Sequence, residues 1–465
     1  MSFANFKKEE EFMSWFESRR RANNFSVEQI PFKKARQWHF ERNTGNLVHS
    51  TGKFFKVAGI RIETNFVPVQ KWDQPIIIQP EIGILGIITR KIGAVRYFLM
   101  QVKMEPGNVN IIQLSPTVQA TKSNYTQVHK GKLPLYLEYF LNRKKSNFLV
   151  DLLQTEQGGR FLRKRNRNMI VEINEDIELF DDFCWLSSWQ IRKLLALNNF
   201  VNMDARSVLS CAPFADGDLQ KHYDSLKHPK REQVFPYNFD DKFLNDLLDS
   251  MVNIEMADKG LEDILSWFTE LKTRYELYVK EIALKNVSGW KRSETEIAHK
   301  SKDYFSVISV SVSAGSREVT SWDQPLIKSS AYGLVGFIAK KINNSLHFLV
   351  QAKVEPGNFD VLEMAPTVSC SNFQNRARQP NKPLFLDFFT DAPADKIKYS
   401  VIQSEEGGRF YHFQNKCMVV EAGASEDFVI PENYIWMTLG QMMELVRRGY
   451  FNIEARSLLT CIGLF

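Results

Sequence analysis

Cysteine is scarce in this chain of 465 residues. Cys184, Cys211, Cys370, Cys417 and Cys461 are odd in number, widely spaced, and never arranged as CxxC. That pattern argues against a disulfide framework and against zinc or haem spacing. It fits reduced, mostly buried thiols in a cytoplasmic protein. The eight histidines are scattered, and there is no HExxH, serine nucleophile elbow, P-loop or Rossmann fingerprint. Neither a metal nor a cofactor is expected, so chemistry falls to general acid–base groups: Glu, Lys, Tyr and His. No run of about 20 apolar residues exists, so no membrane-spanning helix is expected. The N-terminal MSFANFKKEEEFMSWF lacks a signal-peptide core and cleavage site.

Charge of one sign is not in large excess either. A net charge of +6 is mild for this length. Without a recognition motif it argues against nucleic-acid binding, while remaining compatible with an anionic ligand such as a sugar nucleotide. Hydrophobic residues at 44% and charged residues at 25% are ordinary for a globular protein. The length is too great for one typical core.

What the sequence does contain is itself, twice. QVKMEPGN begins at Gln101 and QAKVEPGN at Gln351, 250 positions apart. Trp72 to Val118 aligns with Trp322 to Val368 without a gap, and 21 of the 47 pairs are identical by direct count. QTEQGGRF from Gln154 pairs with QSEEGGRF from Gln403, and DARSVLSC from Asp204 with EARSLLTC from Glu454. At the front, Ser14-Trp-Phe pairs with Ser266-Trp-Phe, and Trp38 with Trp290. The chain is a duplicated module, 1–212 and 241–465, joined by a polar segment at 213–240 that reads as a linker. Each module predicts an α+β fold, with a mixed sheet packed against helices. Helices are expected over Glu10 to Arg21, Leu261 to Val279, Trp189 to Leu197 and Leu439 to Arg448. Strands are expected over Gly83 to Thr89, Tyr97 to Glu105 and Met169 to Ile173, and over their counterparts from Gly333, His347 and Met418.

Period-two alternation sets the faces of the repeated strand. Gln101, Lys103 and Glu105 share one face, opposite Phe98, Met100, Val102 and Met104. Gln351, Lys353 and Glu355 oppose Phe348, Val350, Ala352 and Val354. A cation and an anion then stand roughly 7 Å apart along each strand, before the turns that carry Asn108 and Asn358. A solvated outer face with an ordinary ion pair is the alternative.

Other motifs could hold a ligand. Glu156 with Gly158, Gly159 and Arg160, and Glu405 with Gly407, Gly408 and Arg409, offer a carboxylate, a close-approach glycine pair and a phosphate-gripping guanidinium. A plain turn is the alternative. RFLRKRNRN from Arg160 packs five cations into nine residues, suggesting a diphosphate clamp of Arg160, Arg163, Lys164 and Arg167, or else a basic hairpin. Asn166 and Asn168 lie in the same run. The second copy, RFYHFQNKC, has far fewer cations and instead brings Tyr411 and His412. PTVQATKSNY from Pro116 supplies Thr117, Gln119, Thr121, Asn124 and Tyr125 for sugar hydroxyls or a base edge. The second copy keeps Thr367 and then diverges. Trp72 and Trp322 could stack on a sugar or base, or be core.

The doubled WDQP, QxKxEPGN, PTVQATKSNY, SEEGGRF and DARS/EARS motifs resemble those of the NDP-hexose 2,3-dehydratases, from about Trp38 to the C-terminus. The resemblance implies two tandem Nudix-like modules, a homodimer, and a thymidine-diphosphate sugar substrate. It implies removal of the C-2 hydroxyl of dTDP-4-keto-6-deoxyglucose to give a 3,4-diketo-2,6-dideoxy sugar. It also implies two sugar-nucleotide pockets per chain, one catalytic and one a relic. The metal-binding Nudix box is missing from the sequence, so pyrophosphate hydrolysis does not follow. On this reading the acid–base groups come from Lys103, Glu105 and Glu156, and from Lys353, Glu355, Glu405 and Tyr411. Arg160, Arg409 and the basic run would take the diphosphate. The motif arginines Arg206 and Arg456, with the loop and turn residues above, would line the pockets. Rival readings are an epimerase on the same substrate and a non-catalytic binding module.

Overall fold

The computed structural model describes all residues except 1–5, 7, 67, 94, 123–132, 213–240, 316–319, 379–381, 424–425, 427 and 464–465. The linker expected at 213–240 lies outside the described residues, as do Asn124 and Tyr125.

The fold is α+β and is built twice. Each half has a seven-stranded mixed sheet. In the first half the strand order is Asn147–Thr155, Arg165–Glu172, Ile84–Ile92, Val95–Met104 and Phe183–Ser187. Among the described strands of this sheet only Arg165–Glu172 and Ile84–Ile92 pair in parallel; the other strand pairs are antiparallel. The second half repeats the plan, with Gln414–Glu421 parallel to Gly333–Ile342, which is followed by Ser345–Lys353. The repeated strands alternate as their sequence requires: Phe98, Met100, Val102 and Met104 enter the same buried core as Phe348, Val350, Ala352 and Val354. Lys103 and Lys353 lie on the opposite, half-buried face.

Each half also has a smaller sheet, and here the halves exchange strands. Phe25–Ile30 of the first half pairs with Ser306–Ala314 of the second, in a register that sets Val27 opposite Val312. Reciprocally, Leu277–Ile282 pairs with Lys56–Thr64, setting Val279 opposite Ile62. The helix expected over Leu261 to Val279 therefore ends earlier, at Arg274. Leu277 and Val279 are β-strand residues whose apolar spacing fits a strand face as well as a helix stripe.

The first helix, Glu9–Ala22, carries Glu9, Glu10 and Glu11 in its first turn and Arg19, Arg20 and Arg21 in its last, matching the helix dipole at both ends. It buries Phe12 and Phe16, one turn apart. The helices Ser188–Leu195 and Leu439–Arg447 start at capping boxes formed by Ser187 with Gln190 and Thr438 with Gln441. Two helices not anticipated above, Met203–Leu209 and Ile453–Ile462, carry the DARS and EARS motifs and pack on each other across the pseudo-twofold axis. Their residues join strands of both halves in one continuous core. Two separate cores belong to one half each. Among the described residues no helix is long and apolar enough to cross a membrane.

Candidate active site

The repeated motifs meet across the two halves. The Pro-Gly turn of the first half closes on the glycine turn of the second: Gly107 N donates to Gly407 O at 2.8 Å, and His412 N to Gly107 O at 2.8 Å. The mirror clasp joins Gly357 N to Gly158 O at 2.7 Å and Arg163 N to Gly357 O at 2.8 Å. The approach is too close for any side chain: a Cβ on Gly407 would stand 2.1 Å from Asn108 Oδ1, and one on Gly158 would stand 2.3 Å from Asn358 Oδ1. Phe161 and Phe410 meet edge to face between the clasps, with ring centroids 6.0 Å apart.

The first clasp gathers a cluster drawn from both halves. Lys103 Nζ lies 3.4 Å from Glu105 Oε1 and donates to Gln119 Oε1 at 2.9 Å. The Gln119 amide donates in turn to Glu105 and to Asp204. Asn166 Nδ2 donates to Glu156 Oε1 at 2.6 Å, and Lys164 donates to the Glu81 carbonyl. Glu406 and Arg409 come from the second half. Burial raises the Glu156 carboxyl, against the pull of Arg456 and Lys164. It raises Asp204 well above the carboxylate range, with Glu406 and Glu105 pushing the same way. Glu406 is pushed up to about 7 by burial, against Arg409. Burial lowers the Lys164 ammonium, against Glu156 and Glu81. Glu105 Oε2 and Glu156 Oε2 are buried without a hydrogen-bond partner among the described residues.

The second clasp gathers Lys353, Glu355, Glu363, Glu405 and Glu454 with Arg160 of the first half. Lys353 Nζ lies 2.9 Å from Glu355 Oε1. Burial opposes its charge, but Glu355 and Glu454 outweigh burial and raise it. Glu454 is raised to about 8 by burial and then by Glu355 and Glu405. Glu363 is raised to about 8 by burial and then by Glu355. Glu405 is raised by burial, while Gln157 and Asn415 cap both of its oxygens.

Both clusters therefore hold carboxyls inclined to keep a proton beside carboxylates and cations, the inventory of acid–base chemistry. The structure brings together Lys103, Glu105, Glu156, Gln119, Asn166, Lys164, Gly407, Gly408 and Arg409 on one side, and Lys353, Glu355, Glu405, Gly158, Gly159 and Arg160 on the other.

Other residues singled out in the sequence stand elsewhere. Trp72 and Trp322 are half-buried on the small sheets, and each indole N–H donates to its own Gln74 or Gln324, at 2.9 and 2.8 Å. Those glutamines donate to Gly159 O and Gly408 O, so WDQP steadies the glycine turns. Tyr411 packs near Trp322 and stacks on His412, with centroids 4.1 Å apart. Arg160 and Arg409 lie over Phe305 and Phe55 of the opposite half, 4.2 and 4.3 Å from the ring centroids. Arg167 is paired with Asp151 at 2.6 Å. Thr117 and Thr367 hydroxyls are buried and donate to the carbonyls of Leu99 and Leu349. Asn168 is buried and accepts from Ser207 Oγ at 2.9 Å. Gln101 and Gln351 sit on the half-buried strand face, and Thr121 is half-buried at the end of the described loop.

Arg206 and Arg456 are wholly buried at the pseudo-twofold axis. Arg206 Nε donates to Ser457 Oγ at 2.7 Å, and an Arg456 guanidinium nitrogen to Ser207 Oγ at 2.7 Å. Arg206 lines a small cavity in the second cluster with Glu405, Asn415 and Glu454, and both guanidiniums brace one half against the other. Glu406, Asp204, Glu454 and Glu363 were not singled out from the sequence. Asp204 and Glu454 head the DARS and EARS motifs. Glu406 stands opposite Gln157 in the aligned copies, and that mismatch was the available signal.

A family model of NDP-hexose 2,3-dehydratases matches residues 9–212 and 261–462. A dTDP-4-dehydro-6-deoxy-alpha-D-glucopyranose 2,3-dehydratase of Saccharopolyspora spinosa is 45% identical over 456 residues, spanning 97% of this chain and 90% of that protein. Proteins of the same description from Amycolatopsis orientalis and Streptomyces violaceoruber are 42% and 38% identical, spanning 98% and 97% of this chain and 90% and 96% of theirs.

Proposed function

The chain belongs to the NDP-hexose 2,3-dehydratase family, and from that premise we propose that it removes the C-2 hydroxyl of dTDP-4-keto-6-deoxy-D-glucose. The ketone at C-4 acidifies the proton on C-3. A carboxylate of a clasp cluster takes that proton, and the electrons pass to the C-4 oxygen, where a neighbouring cation steadies the enolate. The enolate then expels the C-2 hydroxyl, which leaves as water on receiving a proton from a neutral carboxyl. The resulting enol, with its hydroxyl on C-3, takes a proton at C-2 and becomes dTDP-3,4-diketo-2,6-dideoxy-D-glucose. No hydride moves in this scheme.

One observation carries this assignment of roles: a Lys–Glu pair, present twice, is closed against the opposite half's glycine turn and leaves a buried Glu oxygen unpartnered. Raised carboxyls beside that oxygen provide the acid. The same reading takes the modules as Nudix-like, the assembly as a homodimer in the cytoplasm, and the diphosphate as held by Arg160 or Arg409 with the neighbouring basic run. Mass spectrometry of the keto sugar nucleotide, with and without the protein, is the test. Loss of one water, with deuterium from D2O appearing at C-2, supports it. Unchanged mass with altered stereochemistry points to an epimerase instead.

A further inference from the structure

The two clusters are pseudo-equivalent in position and unequal in chemistry. Where the first has Lys164, the second has the apolar ring of Phe413; where the first has Glu406, the second has Gln157. Gln119, which links Lys103, Glu105 and Asp204 in the first, is replaced by Ser369. The outcome shows at one matched pair. Glu405 has an amide on each oxygen, Asn415 on Oε1 and Gln157 on Oε2, the latter at 2.6 Å. Among the described residues, Glu156 has only Asn166 on Oε1, and its buried Oε2 is unpartnered. An amide donating to a carboxylate holds it fixed and has no proton to give. A second carboxyl in the same place can share and release one.

We infer that the elimination runs in the cluster around Glu105 and Glu156, that Glu406 from the opposite half is a proton-transfer group of that centre, and that the cluster around Glu355 does not carry the reaction. This rests on the dehydratase reading above. The elimination needs a carboxylate base, a proton donor and a cation near the developing enolate oxygen. Glu105 and Glu156 keep open oxygens, Glu406 adds the donor, and Lys103, Lys164 and Arg409 supply positive charge. The second cluster also keeps an open oxygen, on Glu355, so an open base alone does not separate them. The separation comes from the missing lysine and from the saturation of Glu405. Each centre draws residues from both halves, so neither half holds a complete one.

Glu406 is faced by Arg409, Glu156, Glu105, Lys164 and Asp204, and its carboxyl is pushed up to about 7. A required neutral Glu406 would therefore make kcat fall above neutral pH. Three variants decide the inference: Glu105→Gln, Glu355→Gln and Glu406→Gln, the last copying what Gln157 already does in the second cluster. Glu105→Gln and Glu406→Gln are expected to lose about 100-fold or more in kcat. Glu355→Gln is expected to stay within about threefold of wild type. Glu406→Gln should also lose the alkaline fall in its residual activity. Equal losses in Glu105→Gln and Glu355→Gln, or near-wild-type kcat in Glu406→Gln, overturn the inference. Should Glu406→Gln not yield folded protein, Lys164→Met in the same assay takes its place with the same thresholds. Wild-type protein separates the two levels. No water loss from wild type sinks the dehydratase reading and this inference with it. Wild-type turnover with an inactive Glu355→Gln and an active Glu105→Gln sinks the inference alone.

Discussion

The amide of Gly107 donates to the carbonyl of Gly407 over 2.8 Å, joining a turn of the first half to a turn of the second. Gly357 and Gly158 repeat the contact at 2.7 Å. These two bonds place each Lys–Glu pair against a glycine turn from the other half. The clasps therefore fix the chemistry and the fold together, and a change in one is read in the other.

A methyl group at either turn cannot be accommodated. A Cβ on Gly107 would stand 1.6 Å from Phe410 O, and one on Gly357 would stand 1.7 Å from Phe161 O. The obstacle is backbone, which cannot swing aside as a side chain can. Gly107→Ala and Gly357→Ala should each cost about 3 kcal/mol or more, read as a lower urea midpoint. A midpoint within error of wild type would show that the turns are not clasped in solution.

The strand exchange makes the halves interdependent. Without its partner, residues 1–212 would leave Lys56–Thr64 without the edge strand Leu277–Ile282 and expose Phe25–Ile30 unpaired. Open edges of this kind aggregate. Residues 1–212 and 241–465 expressed separately should be insoluble, whereas co-expression should yield a soluble complex that copurifies through a tag on one half. Two soluble, cooperatively folding fragments would contradict the exchange.

Much of this was legible because duplication doubles every signal. The alternation of Gln101, Lys103 and Glu105 against Phe98, Met100 and Val102 set the strand faces, which the core then honoured. The helices expected from Trp189 and from Leu439 were found within a residue of those starts, because a capping box, Ser187 with Gln190 and Thr438 with Gln441, fixes each beginning. The strand exchange was not legible, because a strand's sequence records which face is apolar but not which distant strand it pairs with. That is also why Leu277 and Val279 read as the continuation of a helix. Matching the two copies favoured Glu156 and Glu405, which they share. Glu406 was passed over because its counterpart is Gln157, although a difference between copies is where unequal chemistry would be written.

Arg206 illustrates how much a buried guanidinium can organise. It donates to Ser457 Oγ at 2.7 Å, Gln403 Oε1 at 3.2 Å and Ser404 O at 2.6 Å, all from the opposite half, and also to Val201 O. An ammonium in its place has three donors from a single point and cannot span that fork. Arg206→Lys should therefore strand at least one buried acceptor and lower stability by roughly 1–3 kcal/mol. Chemical denaturation of the two proteins side by side checks it, and an unchanged midpoint would mean that water fills the gap without cost.

Glu363 gives a pH signature of its own. Its carboxyl is buried, raised from 4.5 to about 8 by that burial and by Glu355, and held by Thr155 Oγ at 3.1 Å. The folded chain thus binds a proton that the unfolded chain releases near pH 4.5. The stability this lends is fully present below that pH and drains away as pH rises toward 8, with a slope of at most about 1.4 kcal/mol per pH unit for one proton. Glu454, raised to about 8, and Glu406, raised to about 7, pull in the same direction. The first half already tolerates an amide here, since Gln113 occupies the matching position and donates to Ser404 Oγ at 2.9 Å. Glu363→Gln removes the titration while keeping the shape. Its urea midpoint should match wild type at pH 5 and exceed it at pH 8, with kcat little changed because the residue belongs to the second cluster. A gain of the same size at both pH values would instead assign the effect to packing, and would mean that Glu363 is ionised in the folded chain throughout.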